Sequence, residues 1–294
     1  MFCTTGAHTV PPPGLPRPWK NFCPSPIIIR MDSSQSGSQF DTAADAYEAS
    51  ANDLPVRPHI EYPSIRRHCG DLAGKSVLDL GCGTGMYSRH LVRWGARTVI
   101  GADISAGMLG RAREIEKEAP LGIVYLERDL TQPCACDPEF ADLAGNIDLV
   151  LAVYVLCYAT SREDLVAMCR TARADLRPGG RFIAPVLNPD YADAGEHPDH
   201  YAGYGFTLTG TAPRGEGSPV RLDAWFPEGS GIEPVRVDAV WWSRRTYEEA
   251  LREAGFTSVT WHRMQVTDQG VAERGSAYWA NYLSRPHALV IEAS

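Results

Sequence analysis

A glycine-rich turn after a short apolar segment is the first feature of this sequence that can carry chemistry. Residues 77–85 read Val-Leu-Asp-Leu-Gly-Cys-Gly-Thr-Gly, which places Asp79 two residues before Gly81, Gly83 and Gly85. Glycine has no Cβ, so a backbone that contains it can adopt positive φ and approach a ligand closely. A helix that starts after the turn offers unpaired N–H donors. The pattern predicts a ligand-binding turn, and its acid suits a ligand with a cationic amino group.

Two further carboxylates stand where later strands are expected to end. Asp103 follows the apolar segment 98–102, and Asp129 follows the segment 123–126. A carboxylate at the first of these positions can accept hydrogen bonds from both hydroxyls of a ribose. A carboxylate at the second can bond an adenine amino group, so the two acids extend the predicted ligand site beyond the turn.

The spacing of the glycines distinguishes this turn from other nucleotide-binding turns. A dinucleotide-binding turn reads G-x-G-x-x-G, and its third glycine would fall at Met86. A P-loop needs Gly-Lys-Ser or Gly-Lys-Thr, which is absent from the sequence of this turn. A nicotinamide-dependent oxidoreductase on a related fold therefore remains only as an alternative.

Alternating strands and helices are expected to position these residues. Apolar segments predict strands at 76–80, 98–102, 123–126, 147–153, 181–186, 258–262 and 287–292, and amphipathic or capped segments predict helices at 86–94, after 105, at 161–176 and at 246–255. This order predicts an α/β fold with a doubly wound parallel sheet. Ligands of such sheets bind at the carboxyl ends of the strands.

The composition changes along the chain and predicts four segments. Residues 1–38 are rich in proline, serine and glycine and are expected to form a disordered leader. Residues 39–187 are expected to form the Rossmann-like core, and residues 246–294 to complete its sheet. Residues 188–245 break the alternation and contain two antiparallel strand patterns, at 220–226 and 235–242. We expect them to form an antiparallel β insertion that serves as a substrate lid.

The glycine turn and the two acids together resemble the class I S-adenosylmethionine (SAM) dependent methyltransferase family, from Val77 to about Val186. The resemblance implies a seven-stranded sheet whose last strand is antiparallel, SAM as the cofactor and S-adenosylhomocysteine as its product. It also assigns cofactor-binding roles: the turn glycines Gly81, Gly83 and Gly85 would contact the methionyl part, Asp79 its ammonium, Asp103 the ribose hydroxyls, Ile104, Met108, Asp129 and Leu130 the adenine, and Ala152 the methionyl group again.

Candidate catalytic residues come from three places. Tyr47 lies in a predicted N-terminal helix, which in the resembling family often forms a lid over SAM. Tyr154 and Tyr158 follow the fourth strand, where the methyl group is expected. His197 and His200 lie in the insertion and can act as bases near neutral pH.

A narrower resemblance concerns the substrate. Residues 120–123, 152–159 and 168–169 are similar to small-molecule methyltransferases of bacterial secondary metabolism, of the toxoflavin type, which implies a role in antibiotic biosynthesis. Aromatic residues are dense in the insertion and suit a flat, apolar substrate. The predicted reaction is methyl transfer to a nitrogen or oxygen atom of a small, planar heterocyclic or aromatic metabolite. A cyclase that uses SAM without methyl transfer stays open as an alternative.

The bulk composition limits the partners. The 294 residues carry a net charge of −8, which argues against nucleic-acid binding because that requires clustered Lys and Arg. The longest apolar stretch, 149–156, is too short to cross a membrane. Eight cysteines without a secretory signal indicate reduced thiols and a cytoplasmic location. Cys134 and Cys136 lack a second ligand pair nearby in sequence, so no metal is expected, whereas a homodimer is compatible with the size.

Overall fold

The computed structural model describes residues 27–28, 44–49, 54–132, 144–190, 199–211, 213–226, 231–232 and 234–294. Most of the expected leader, Cys134, Cys136 and His197 lie outside these residues. Within the expected leader, Ile27–Ile28 form a two-residue strand, β1, rather than an irregular segment. The predictions on the remainder of 1–38 stay predictions.

The described elements alternate between strands and helices through most of the chain. After β1 the strands are β2 (Ser76–Leu80), β3 (Thr98–Asp103), β4 (Val124–Glu127), β5 (Ile147–Leu151), β6 (Leu176–Leu187), β7 (Phe206–Gly210), β8 (Ser218–Ala224), β9 (Val235–Trp241), β10 (Val259–Arg263) and β11 (Ala288–Ala293). The α-helices are α1 (Ala44–Ala49), α2 (Tyr62–Cys69), α3 (Met86–Arg93), α4 (Ala106–Glu118), α5 (Arg162–Asp175), α6 (Arg244–Glu253), α7 (Asp268–Arg274) and α8 (Ser276–Ser284). A π-helical segment, Arg57–Glu61, leads into α2, and short 3₁₀ turns occur at Leu156–Tyr158 and Ala202–Tyr204.

The main sheet has seven strands in the order β10-β11-β6-β5-β2-β3-β4. The neighbouring pairs from β6 to β4 are parallel, whereas β11 runs antiparallel to both β6 and β10. The predicted seven-stranded sheet with an antiparallel last strand is therefore confirmed. Helices on both faces explain why β2 is an almost continuous apolar run, since both of its faces are buried.

Local side-chain caps set several helix starts. The hydroxyl of Ser105 accepts a hydrogen bond from the N–H of Met108, and Ser161 with Asp164 forms a capping box. The start of α6 was predicted at Thr246, but it lies earlier. There the hydroxyl of Ser243 accepts the N–H of Thr246 and so forms the cap.

Other structural features differ from the pattern-based expectations or add to them. β5 ends at Leu151 rather than at 153, and β6 already begins at Leu176. The segment 57–69 is helical although it contains Pro58 and Pro63, because each proline occupies a first-turn position whose N–H needs no partner. Helices α7 and α8 precede the last strand, in a region for which no element was predicted.

A second sheet, ordered β1-β9-β8-β7, contains the two predicted insertion strands and adds β7 beside them. The pairs β7–β8 and β8–β9 are antiparallel, and their register aligns Leu208 with Leu222 and Leu222 with Val237. Successive residues in a strand point to opposite faces. One face is therefore apolar, and the other carries ion pairs such as Arg221–Asp238.

Candidate functional site

A cavity of about 480 Å³ lies where the carboxyl ends of the main-sheet strands meet the apolar face of the second sheet. The glycine turn and Asp103 line one part of it. Leu208, Leu222 and Val237 of the second sheet line another part. A single cavity thus joins the predicted cofactor site to an apolar compartment.

The glycines of the turn are required both by close contacts within the protein and by their position beside the cavity. Gly81, Gly83 and Gly85 all have positive φ, of 65°, 55° and 79°. A Cβ on Gly81 would lie 2.4 Å from Cγ2 of Val155, and one on Gly85 would lie 2.1 Å from the Tyr125 hydroxyl oxygen. Gly81 and Gly83 line the cavity, whereas Gly85 packs against Tyr125 and does not.

Asp103 joins the turn to the end of β3. Its Oδ2 accepts the N–H of Gly83 at 2.8 Å, and its Oδ1 accepts the N–H of Ser105 at 2.9 Å. Ionised carboxylate oxygens have further lone pairs, so this group can still accept hydrogen bonds from a ligand. Ile104 and Met108 also line the cavity beside it.

Asp129 and Leu130 line the same end of the cavity. Oδ1 of Asp129 accepts both the N–H and the hydroxyl of Thr131, at 2.9 and 2.7 Å. The preceding residue, Arg128, forms a buried ion pair with Asp175 at 2.7 Å. These contacts hold the segment rigidly at the sheet edge.

Two further predicted cofactor residues do not line the cavity. Asp79 is 1% exposed and accepts the hydroxyl of Ser88 at 2.6 Å. Burial, reinforced by the charge of Asp103, raises the pKa of Asp79 to about 7. Ala152 is also buried and donates its N–H to Ile183, while its neighbour Val153 lines the cavity. The structure therefore places both residues behind the cavity surface.

Helix α1 closes over the glycine turn. The ring of Tyr47 lines the cavity, with the guanidinium of Arg57 lying 5.1 Å from its centroid. Glu48 pairs with Arg89 and accepts the hydroxyl of Thr84, which belongs to the turn itself. The predicted lid position of Tyr47 thus corresponds to a helix fastened to the cofactor loop.

A cluster of three polar side chains lies between the glycine turn and the apolar wall of the cavity. It contains Tyr154 and two residues that the sequence analysis missed, Glu61 and His287. The hydroxyl of Tyr154 donates to Oε1 of Glu61 at 2.9 Å and lies 3.0 Å from Nε2 of His287. His287 Nε2 is 3.3 Å from the same carboxylate oxygen, and its Nδ1 is 2.6 Å from the Tyr282 hydroxyl. Tyr154, Glu61 and His287 all line the cavity.

No short motif marks Glu61 or His287 in the sequence. Glu61 lies in a helical segment flanked by prolines, and His287 immediately precedes β11. One sequence signal could have identified His287 as a site residue. It stands at the start of a predicted core strand, and in the structure that position lies next to the carboxyl end of β6. Antiparallel pairing of Ala288 with Leu187 places it there.

The other predicted catalytic residues have mixed placements. Tyr158 lines the cavity. His200 does not, and its ring packs edge-on against Tyr201 at 4.8 Å. Most of the described aromatic rings of the insertion serve packing, as when Trp242 donates its indole N–H to Ala159. The cavity wall is consequently more aliphatic than expected, with Phe206 and Phe226 supplying its rings from the second sheet and its flank.

Outside the cavity, His68, His262 and Glu292 have potential metal-ligand atoms within 4.8 Å of one another. The Glu292 carboxylate already pairs with Arg181 at 2.9 Å and with His262 at 3.1 Å. We describe this cluster as an ion-pair network, and the expectation of no metal remains a prediction.

The cavity residues fit SAM as a ligand. The Gly83 face is open, because a Cβ there would have no neighbour closer than 3.8 Å. Asp103 offers acceptors for ribose hydroxyls, and Asp129 lies at the same end for an amino group. The acceptor groups and the glycine cradle thus match the expected parts of the cofactor.

Comparison with known proteins supports this assignment. Residues 77–180 match the family described as Methyltransferase domain, Methyltransf_25. The ubiquinone biosynthesis O-methyltransferase of Methylobacterium sp. (strain 4-46) is 33% identical over 141 residues, which are 46% of this chain and 52% of that enzyme. The chain thus spans about half the length of the curated relatives it matches.

Solved structures share the fold over more of the chain. An S-adenosylmethionine dependent methyltransferase from Mesorhizobium loti superposes with a TM-score of 0.54 at 24% identity, covering 79% of this chain and 96% of that one. The CcbJ methyltransferase from Streptomyces caelestis superposes with a TM-score of 0.57 at 21% identity, covering 90% and 98%.

Residues 77–180 thus match a methyltransferase domain, and the sheet order and the glycine cradle agree with the fold of class I SAM-dependent methyltransferases. SAM is the cofactor of that class, which sets aside the nicotinamide-dependent alternative. Within the part of the chain that the structure describes, no helix is both long and apolar enough to span a membrane.

Proposed function

We propose that this protein transfers the methyl group of SAM to a nitrogen or oxygen atom of a small, apolar, planar metabolite. The observation that carries the proposal is the continuity of one cavity from Gly83 and Asp103 to the wall formed by Leu208, Leu222 and Val237. A cofactor held at the first end would present its methyl group toward a substrate enclosed at the second.

The chain's own residues would contribute mainly by positioning. SAM supplies an activated methyl group on a sulfonium. Asp103 and Asp129 would hold its nucleoside, and the turn that contains Gly83 would accommodate its methionyl part. Helix α1, fastened through Glu48 to Arg89, covers this end and limits the entry of water. Alignment of two reactants in one cavity can supply on the order of 7–11 kcal/mol of the barrier.

The shape and chemistry of the wall support a small, apolar acceptor. Alternate residues of three adjacent strands point into the cavity, so one wall of the substrate compartment is an apolar sheet face. Few polar groups interrupt it, as is typical of small-molecule pockets. The similarity to a ubiquinone biosynthesis O-methyltransferase supports an oxygen atom as the methyl acceptor, and the narrower resemblance to toxoflavin-type enzymes supports a heterocyclic substrate.

The first experiment is calorimetric titration of the wild type with SAM and S-adenosylhomocysteine. Asp103→Ala is expected to weaken both by at least about tenfold, which is about 1.4 kcal/mol. Asp238→Ala, on the polar outer face of the second sheet, is the matched control and should bind like the wild type. Equal affinity of Asp103→Ala and the wild type would contradict the assigned site.

Methyl transfer itself is tested by incubating the wild type and SAM with a panel of catechols, phenols, aromatic amines and fused heterocycles. Methylated product and S-adenosylhomocysteine are measured by mass spectrometry. SAM consumption without a methylated product would favour the cyclase alternative. Tight SAM binding with no reaction on any acceptor class would refute small-molecule methyl transfer. A cytoplasmic location, a homodimer and a role in secondary metabolism stay predictions.

A further inference from the structure

We propose that Glu61 and His287, linked through the hydroxyl of Tyr154, accept a proton from the substrate, and that the methyl acceptor is therefore a phenolic or enolic hydroxyl. The inference rests on the proposed function and narrows its substrate class. A hydroxyl is a weak nucleophile until it loses its proton, whereas a free amine can attack without a base. A built proton acceptor in the substrate compartment thus favours the hydroxyl.

The three side chains form a closed hydrogen-bonded group at the cavity surface. One carboxylate oxygen of Glu61 contacts both the Tyr154 hydroxyl, at 2.9 Å, and His287 Nε2, at 3.3 Å. The side chains of Glu61 and His287 are each only 5% exposed, yet all three residues line the cavity. A substrate hydroxyl in the apolar compartment would find its polar partners here.

The backbone of Tyr154 is held in an unusual conformation that points to a function. Its φ is 55°, and among the described residues no other non-glycine residue has a positive φ. Such strain costs of order 1–3 kcal/mol and persists only where the surroundings enforce it, commonly at functional sites. Here the N–H of Tyr154 donates to Pro185 at 2.9 Å, and its carbonyl accepts the thiol of Cys157 at 3.1 Å.

The electrostatics indicate where the proton would end. Burial opposes the charge of Glu61, but the hydrogen bonds from His287 and Tyr154 and the positive charge of Arg57 leave the pKa of Glu61 below its usual value. Burial and the Glu61 charge raise the pKa of Tyr154 well above 10, so a standing phenolate is disfavoured. Tyr154 would therefore relay the proton to the Glu61–His287 pair.

The proton transfer balances without another reactant. The O–H bond of the substrate breaks as its proton moves to the Tyr154 oxygen, while the proton of Tyr154 passes to the Glu61–His287 pair. The substrate oxygen forms a bond to the methyl carbon, and sulfur keeps the electron pair of its broken bond to that carbon. The products are a methyl ether, S-adenosylhomocysteine and a protonated pair, which returns its proton to water.

The groups that face His287 come from several elements. Glu61 precedes α2 and Tyr154 follows β5, while Tyr282 of α8 contacts Nδ1 at 2.6 Å. The rings of Tyr201 and Phe206 pack against the imidazole at 6.3 and 5.1 Å. Among these neighbours Glu61 is the anion, so an imidazolium formed during the reaction would be stabilised in place.

The test compares His287→Ala, Glu61→Gln and Tyr154→Phe with the control His262→Ala, which removes a histidine that does not line the cavity. SAM affinity should stay within about twofold of the wild type in each variant. With SAM and phenols of graded acidity, His287→Ala should lose about 10²–10⁴-fold in kcat for phenols that are neutral at the assay pH. Phenols that are already ionised should lose far less, and the acid limb of the wild-type pH profile should disappear.

A second readout does not depend on turnover. In complexes with S-adenosylhomocysteine, 4-nitrophenol should bind to the wild type as its coloured anion at a pH where the free phenol is neutral. In His287→Ala it should bind in the neutral form. Circular dichroism shows whether His287→Ala folds. If it does not, the near-isosteric variants Glu61→Gln and Tyr154→Phe test whether the pair accepts the proton.

Different experimental outcomes would refute the proton acceptor and the proposed function. An equal loss across the phenol series, no loss in His287→Ala, or neutral 4-nitrophenol bound to the wild type would overturn the proton acceptor. Methylation of amines but not of phenols would do the same while leaving methyl transfer intact. Absence of SAM binding in the wild type would refute the proposed function instead.

Discussion

The glycine turn allows a sharp test because two of its glycines have different neighbours. In Gly85→Ala the new methyl group would lie 2.1 Å from the hydroxyl oxygen of Tyr125 and 2.7 Å from its Cζ. Tyr125 is buried, so its ring cannot move aside freely. The left-handed backbone adds about 1–2 kcal/mol, and overpacking adds about 1–3 kcal/mol. We expect Gly85→Ala to lower the free energy of unfolding by about 2–5 kcal/mol.

Gly83→Ala is the matched control for this prediction. Its φ of 55° carries a similar backbone cost, but its Cβ would meet nothing closer than Tyr47 at 3.8 Å and Met108 at 3.9 Å. We expect a loss of only about 1–2 kcal/mol from the backbone. Its methyl group enters the cavity, so SAM affinity should fall by at least about tenfold.

Urea unfolding followed by circular dichroism, without cofactor, measures both free energies. The double variant Gly85→Ala/Tyr125→Ala removes the clash, and a double-mutant cycle should show a coupling of about 1–3 kcal/mol between the two sites. The reasoning would be refuted if Gly85→Ala and Gly83→Ala were equally stable, or if the coupling were zero.

Two buried acids provide further predictions. Burial raises the pKa of Asp79 from 3.8 to about 7, so the folded protein holds a proton that the unfolded chain releases, and this group's contribution to stability falls as pH rises through that window. Asp79→Asn should therefore gain stability relative to wild type from acid to neutral pH in urea titrations; parallel profiles would contradict this. Asp175→Leu removes the carboxylate that forms an ion pair with the buried Arg128 and should cost about 3–5 kcal/mol. Arg128→Met/Asp175→Leu should recover most of that loss, and an equally unstable double variant would count against the buried pair.

Local patterns were sufficient for the cofactor side of the protein. The sequence from Val77 to Gly85 predicts a strand, a turn and a helix because the three are contiguous, and the structure has them in that order. Asp103 follows for the same reason, since it ends the next strand, whose carboxyl end lies beside the turn in a parallel sheet. Helices were expected after 105 and at 161–176, and in the structure Ser105 and Ser161 cap the helices that begin there.

The substrate side depended on contacts between distant segments. No element was predicted for residues 57–63, which present Glu61 from a helical segment. The insertion's aromatic content suggested rings where the structure has mainly Leu208, Leu222 and Val237 at the cavity. Alternation of side chains in β7, β8 and β9 selects these residues. The face of the second sheet that covers the cavity is set by how that sheet packs against the rest of the protein. The local sequence pattern does not contain this packing.

The sequence by itself thus determined the class of sheet, the glycine turn and Asp103, because each depends on residues adjacent in the chain or on the regular order of a doubly wound fold. Only the tertiary structure decided that Glu61, Tyr154 and His287 meet. They come from a helical segment near the start, the loop after β5 and the residue before β11. No periodicity links such positions, and they are brought together only when β11 pairs antiparallel with β6 and the helical segment before α2 packs against the cavity.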